Sequence, residues 1–247
     1  MSRTIRDTNK TTDMNNSRFI LGASFIAGCL ILGLCAVWAT KTNRSFDRTV
    51  AVKGLCERQV KADKVIWPLA YKFGGNSLTE MYARANSMNG KIVEFLTSAG
   101  VPEDEISVNP PAIEDNRAVS YNNNATYNYL ITSVVTVYSE NIDLVIELQN
   151  RVGELIAQGV PVGTADSWSN PTVFSYNGLN DIKPEMIEEA TANAREAAQK
   201  FAKDCNSRLG KIKTATQGQF TITDRDSNTP YIKNVRVVTS VEYYLND

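Results

Sequence analysis

Residues Phe19 to Ala39 read FILGASFIAGCLILGLCAVWA, twenty-one in succession without a charged side chain. Wound as a helix, such a run extends ~31 Å, about the thickness of a bilayer's hydrocarbon core. Arg18 flanks one end, Lys41 and Arg44 the other, and Trp38 stands where an interfacial aromatic would. The run reads as a single transmembrane anchor. Two processing alternatives stay open. Val37 and Ala39 suit a signal-peptide cut, although the apolar part of such a peptide is usually about 7–15 residues. IAGC, Ile26 to Cys29, has the form of a lipoprotein cleavage box, but ten apolar positions follow the cysteine where a lipidated tether is polar. Basic residues lie on both sides of the run, so charge alone does not orient it.

The anchor divides the chain into a polar tail (1–18), the span (19–39), a linker (40–47) and a body (48–247). The tail, rich in Thr and Asn, reads as disordered. Over the whole chain 26 basic side chains face 27 acidic ones, with no basic stripe. That balance gives no electrostatic footprint for nucleic acid. Histidine is absent, which removes imidazole acid–base chemistry, Ser-His and Cys-His nucleophiles and the commonest transition-metal ligand. Of four cysteines, Cys29 and Cys35 lie in the apolar run and no C-x-x-C spacing occurs, so no zinc or redox motif is supported. Cys56 and Cys205 form a possible disulfide in an oxidising compartment, the alternative being two small hydrophobes. No cofactor or metal is expected.

The body alternates strand and helix signals. Val50, Val52, Gly54 and Cys56 repeat every second residue, as do Val65, Trp67, Leu69, Tyr71 and Phe73. Lys61 to Asp63 reads as the turn of a hairpin between them, and Pro68 as an edge or bulge. Ser77 with Glu80 makes a capping box. The helix after it buries Leu78, Met81, Tyr82, Ala85, Met88, Ile92, Phe95 and Leu96 and stops at Gly100 and Pro102. A third strand begins at Ile106, and Tyr127 to Val137 is a fourth beyond a polar loop. A second helix puts Ile142, Val145, Ile146, Val152, Leu155 and Ile156 on one face and ends at Gly159 before Pro161, and Val162 to Ser175 is another strand. A last helix starts near Pro184 as a first-turn proline and packs Ile187, Ala190, Ala194, Ala197, Ala198, Phe201 and Cys205. Strands Ile212–Ile222 and Val235–Leu245 close the chain. The order ββαββαβαββ, with about three packed helices and mixed sheets after the transmembrane helix, is α+β.

No stretch assembles chemistry. DRDSN, Asp224 to Asn228, opens like a calcium loop, but Thr229 and Val235 stand where glycine and glutamate are required, so it reads as a hairpin loop. The carboxylates of PEDE, Pro102 to Glu105, are sequence neighbours in a short loop and not a converging pair. Gly74-Gly75 precedes a helix without a Walker lysine. Tyr121, Tyr127 and Tyr129 are weak candidates for ligand binding, set against packing across a sheet.

VAVKGLCERQVKADKV, with Val52, Gly54, Val60 and Asp63, resembles the start of the SIMPL domain (DUF541) family of bacterial envelope proteins. Ala62 stands where proline is usual, and Cys56 where a small residue is. LTSAGVPEDEISV, ITSVVTVYSENIDLVIELQNRVGELIAQGV and EEATANAREAAQKFAKDCNSRLGKI are similar to later segments, with Asn86 in the first helix and Cys205-Asn206 replacing Ala-Gly before Leu209-Gly210-Lys211. The resemblance spans about residues 48–247. It implies a periplasmic domain held by an N-terminal helix at the inner membrane, an oligomer that includes ring-like forms, and a link to envelope stress tolerance. It supplies no catalytic residues. Gly54, Asp63, Gly100 and Gly210 are expected to be structural, Asp63 by bonding its own local backbone. The reading is a non-enzymatic, self-associating, membrane-anchored envelope protein that binds no nucleic acid. The alternative is a binding module for a small ligand or an envelope protein partner.

Overall fold

The computed structural model describes residues 28–36, 48–118, 126–165 and 169–246. The expectations for the tail, the linker, Tyr121 and most of the Phe19–Ala39 span lie outside the described residues. Within that span residues 28–36 are helical (α1), with Leu30, Ile31, Leu32 and Leu34 exposed. Among the described residues no helix is long and apolar enough to cross a membrane.

The fold is α+β, with two antiparallel sheets. In chain order, β1 (Thr49–Lys61) and β2 (Lys64–Gly75) precede α2 (Leu78–Ser98). Then come a 3-10 turn (Glu103–Glu105), β3 (Ile106–Val108), β4 (Ala112–Asp115) and β5 (Tyr129–Ser139). α3 (Ile142–Arg151), α4 (Gly153–Ala157), β6 (Val173–Ser175) and α5 (Leu179–Asp204) follow. β7 (Arg208–Gln217), β8 (Thr221–Asp224) and β9 (Ile232–Asn246) end the chain. The sheets are ordered β1-β9-β7, with β8 also on β9, and β3-β5-β2-β6, with β4 also on β5.

The order departs from the expected one in definable ways. β4 lies within the supposed polar loop, and the break at Gly218 leaves β8 separate from β7. The helix expected to run to Ile156 is divided at Val152 into α3 and α4. Of Val162–Ser175 only β6 is strand, apart from one bridge between Val162 and Tyr71. Ser77 occupies the N-cap of α2, but its hydroxyl makes no capping bond. α5 starts at Leu179, so Pro184 sits inside the helix and not in its first turn.

The chain divides into two compact units, residues 56–188 with 219–237 in one, and residues 1–55, 189–218 and 238–247 in the other. In the first, β2 and β5 pair antiparallel over Val65↔Ser139 to Gly75↔Tyr129. Their inward side chains alternate, as period two requires: Val65, Trp67, Leu69 and Tyr71 on β2, Ile131, Val135 and Val137 on β5. Met88, Ile92, Phe95 and Leu96 of α2 and Val145 and Leu148 of α3 join that core. Leu78 and Tyr82, expected on the buried face, are 41% and 49% exposed, because the face turns toward Ala85 and Asn89. β6 pairs β2 only over Lys64–Ile66, so Pro68 sits where no strand asks for its missing N–H.

In the second unit α5 covers one face of its sheet. Ala194, Ala198 and Ala202 pack with Val50, Val241, Tyr243 and Leu245. The buried stripe there runs Ala190, Ala194, Ala198, Ala202, one residue every four. Ala197, Phe201 and Cys205, expected on this face, are exposed. The helix lies so close that only methyl groups fit beneath it, and that excludes the larger side chains.

Candidate functional site

Lys61 to Asp63 is a corner and not a hairpin turn. A two-residue hairpin needs positive φ, and among the described residues Asn206 is the one non-glycine with it. The Ala62 N–H therefore donates to the Tyr231 carbonyl beside β9, while the Asp63 N–H donates to Ser175 of β6. β1 and β2 leave the corner into different sheets. Asp63 Oδ2 accepts from the N–H groups of Asn177 (2.7 Å) and Gly178 (2.8 Å), just ahead of α5. Its partners are thus 114 and 115 residues away and not the local backbone the sequence suggested. A carboxylate there satisfies donors at the positive end of a helix dipole. Burial, then the charges of Asp181 and Asp63, raises the Tyr176 phenol above its ordinary value.

The glycines act at close approaches and helix ends. A Cβ on Gly54 would fall 1.8 Å from the Ala190 carbonyl oxygen and 2.5 Å from Ala194 N. Gly100, at φ +96°, closes α2: its N–H reaches Thr97 and that of Val101 reaches Leu96. Asn206, at φ 53°, does the same for α5, with bonds from its own N–H to Lys203 and from Ser207 to Ala202. A Cβ on Gly210 would meet the Tyr244 carbonyl oxygen at 2.8 Å, beside the irregular register of β7 against β9. Cys56 is buried, Cys205 is exposed, and neither is in a disulfide.

Of the tyrosine candidates, Tyr127 and Tyr129 are described and lie just before and at the start of β5. The Tyr127 ring lies where a Cβ on Gly74 would be, 2.3 Å from its Cδ2, so it packs on bare backbone. The Arg117 guanidinium lies 4.6 Å from the centre of the Tyr129 ring, donates to its hydroxyl, and binds Asp115 through two nitrogens. Those bonds hold the Asp115 carboxyl below the ordinary range. Tyr127 is thus packed against β2, and Tyr129 is engaged by Arg117. Glu103 and Asp104 are exposed on the 3-10 turn, and Asp224 ends β8 while residues 225–228 open the β8–β9 hairpin loop. Among the described residues no cluster of His, Cys, Asp or Glu is placed to hold a metal.

One buried polar group escaped the sequence reading. Asn89, 5% exposed on α2, accepts through Oδ1 from Ser133 of β5 at 3.0 Å, and the Tyr71 hydroxyl lies 2.8 Å away. That hydroxyl is also 2.9 Å from the Ala85 carbonyl. Burial raises the Tyr71 phenol, against a smaller downward pull from Ser133. The available signal was a polar residue four positions after Ala85 and three before Ile92, on the apolar face.

The surface that stands out is β7. It ends its sheet, and from Lys211 to Gln217 every residue is exposed, on both sides of the pleat. The Gly218 N–H bonds to Val238, and the register 214↔242 to 217↔239 continues from it. Even-numbered residues therefore face β9, and Ala215 and Gln217 turn their N–H and C=O outward. Such an edge is a template for another strand.

Residues 50–242 match the family model of SIMPL, described as a protein of unknown function (DUF541). With most of its length inside that match, the chain belongs to the SIMPL family. Compared with curated proteins, it has no match.

Proposed function

We propose that this chain is a non-catalytic protein of the bacterial cell envelope that self-associates through β7. Phe19–Ala39 anchors it in the inner membrane, the body stands in the periplasm, and its role lies in envelope stress tolerance. The observation that carries self-association is the outward edge of β7, exposed on both faces. The partner is a second copy. Antiparallel pairing of two β7 strands about Ala215 sets Lys213 opposite Gln217 and Thr214 opposite Thr216, with no like charges face to face. The lack of histidine, the packing of Tyr127 on Gly74 of β2 and the pairing of Tyr129 with Arg117 favour this over catalysis or capture by the tyrosines.

The test is the mass of the full chain in detergent, by light scattering, for the parent and for Ala215→Pro. Proline there removes an outward N–H and leaves the β9 ladder intact. The parent should be oligomeric and the variant monomeric with an unchanged circular dichroism spectrum. A parent that stays monomeric at high concentration ends the proposal. Retention of the parent in membranes after alkaline extraction, against release, tests the anchor.

A further inference from the structure

The unit formed by 56–188 and 219–237 carries a cleft of about 480 Å³ that the proposed self-association does not use. That volume lies within the range of roughly 300–1,000 Å³ typical of small-molecule sites. Three elements build it. α3 supplies Ile146, Gln149 and Asn150, which share a face at i, i+3 and i+4. Thr172 and Phe174 come from the same side of the chain at β6. The β8–β9 loop supplies Ser227, Asn228, Pro230 and Tyr231.

The loop is held in shape before any ligand arrives. Asp226 Oδ1 accepts from the N–H groups of Asn228 (2.9 Å) and Thr229 (2.8 Å). Its other oxygen accepts from the Thr229 hydroxyl and, at 3.0 Å, from Arg225 Nε. The Arg225 guanidinium also donates to Thr229 Oγ1 at 2.8 Å. The charge of Asp226 is consumed inside the loop, and Ser227 and Asn228 are left on the cleft side. The Phe174 and Tyr231 rings meet edge to face, with centroids 6.1 Å apart, as the apolar wall.

The chemistry of the lining selects the ligand. Among the described residues, no Asp, Glu, Lys or Arg lines the cleft. The side chains of Gln149, Asn150, Thr172, Ser227 and Asn228 make no hydrogen bond to any described residue of the protein. A charged ligand would lose hydration there without a counter-charge. A wholly apolar one would strand five side chains that both donate and accept, or only accept and donate in turn as hydroxyls do. β6, at three residues, is too short to template an extended peptide. What fits is a neutral molecule with dispersed hydroxyls and an apolar ring face. We infer that this cleft binds a neutral saccharide, with the amides of Gln149, Asn150 and Asn228 on its hydroxyls and the ring face against Phe174 and Tyr231.

The test is saturation-transfer NMR on the full chain, in a detergent without a sugar headgroup. The probes are glucose, N-acetylglucosamine, cellobiose and chitobiose. Transfer to at least one is expected, with affinity at least about tenfold weaker in the double variant Asn150→Ala/Asn228→Ala, a change of ~1.4 kcal/mol. Both positions are exposed, so the variant keeps its fold, which its circular dichroism and melting temperature verify. No transfer to any of the four sugars overturns the inference. So does equal binding by the variant, equal binding of glucuronate or glucosamine, or stronger binding of a neutral tripeptide amide. None of these outcomes depends on the oligomeric state.

Discussion

Gly54 carries the sharpest steric demand of any single residue described above. An added methyl cannot share space with the Ala190 carbonyl, so α5 must shift or β1 must bend. Gly54→Ala should destabilise the chain at the top of, or beyond, about 1–3 kcal/mol, read as a lower urea midpoint. Asn206 poses the opposite case. It already holds the left-handed conformation that glycine prefers, so Asn206→Gly should leave stability unchanged or slightly raised. Asn206→Val should cost about 1–2 kcal/mol by thermal unfolding, because a branched Cβ collides with the carbonyl there. Asp63→Ala strands the Asn177 and Gly178 donors and should cost about 1–2 kcal/mol, with Asp63→Asn milder because an acceptor remains. Gly100 was visible in the sequence because a helix end answers a local backbone demand, whereas the sequence reading gives Asn206 no capping role. The partners of Asp63 were not visible, since nothing in residues 61–63 encodes a segment more than a hundred residues later.

Elements were legible where the period was strict. β2, β5 and α2 follow from alternation or a 3.6-residue repeat, and Gly100 and Gly159 end helices where the sequence places them. Faces were less so. α5 contains alanines on several sides, and which row is buried depends on what lies beneath. Asn89 was passed over because a helical pattern ranks it as an outlier, yet Tyr71 and Ser133 arrive from two strands to satisfy it. Tyr71→Phe removes one of those partners. It should cost about 1–3 kcal/mol, and a double-mutant cycle with Ser133→Ala should show coupling, since both donate to the same amide oxygen. Additive effects would mean the three groups do not act as one network.

At the scale of the whole molecule, titration should act on the acid side through carboxylates and, through the raised Tyr71 and Tyr176 phenols, only above about pH 10. Several surface carboxylates, exposed or half-buried, sit below their ordinary range. Thr229 and Arg225 hold Asp226 down, Thr49 and then Lys213 hold Glu242, and Lys200 holds Glu196. A carboxylate whose folded value is lowered adds stability above its unfolded value, and that stability is lost as pH falls through the folded one. The urea midpoint should therefore fall only below the ordinary carboxylate range, and without histidine it should stay flat between about pH 5 and 8. A step near neutrality would contradict this.

By itself the sequence determined the charge-free run, the absence of imidazole chemistry, the strand and helix segments of strict period, and the residues that turn the chain. These are local properties, set by the volume, charge and backbone freedom of neighbours. Only the tertiary structure decided that β1 pairs with β9 and not with β2, that Asp63 serves the start of α5, and which alanines face Gly54. It also left the outer edge of β7 unpaired among the described residues and brought α3, β6 and the β8–β9 loop around one cleft. Periodicity states which side chains share a face but is silent on what lies opposite. That choice rests on contacts between segments far apart in the chain, where packing and hydrogen-bond satisfaction are settled jointly.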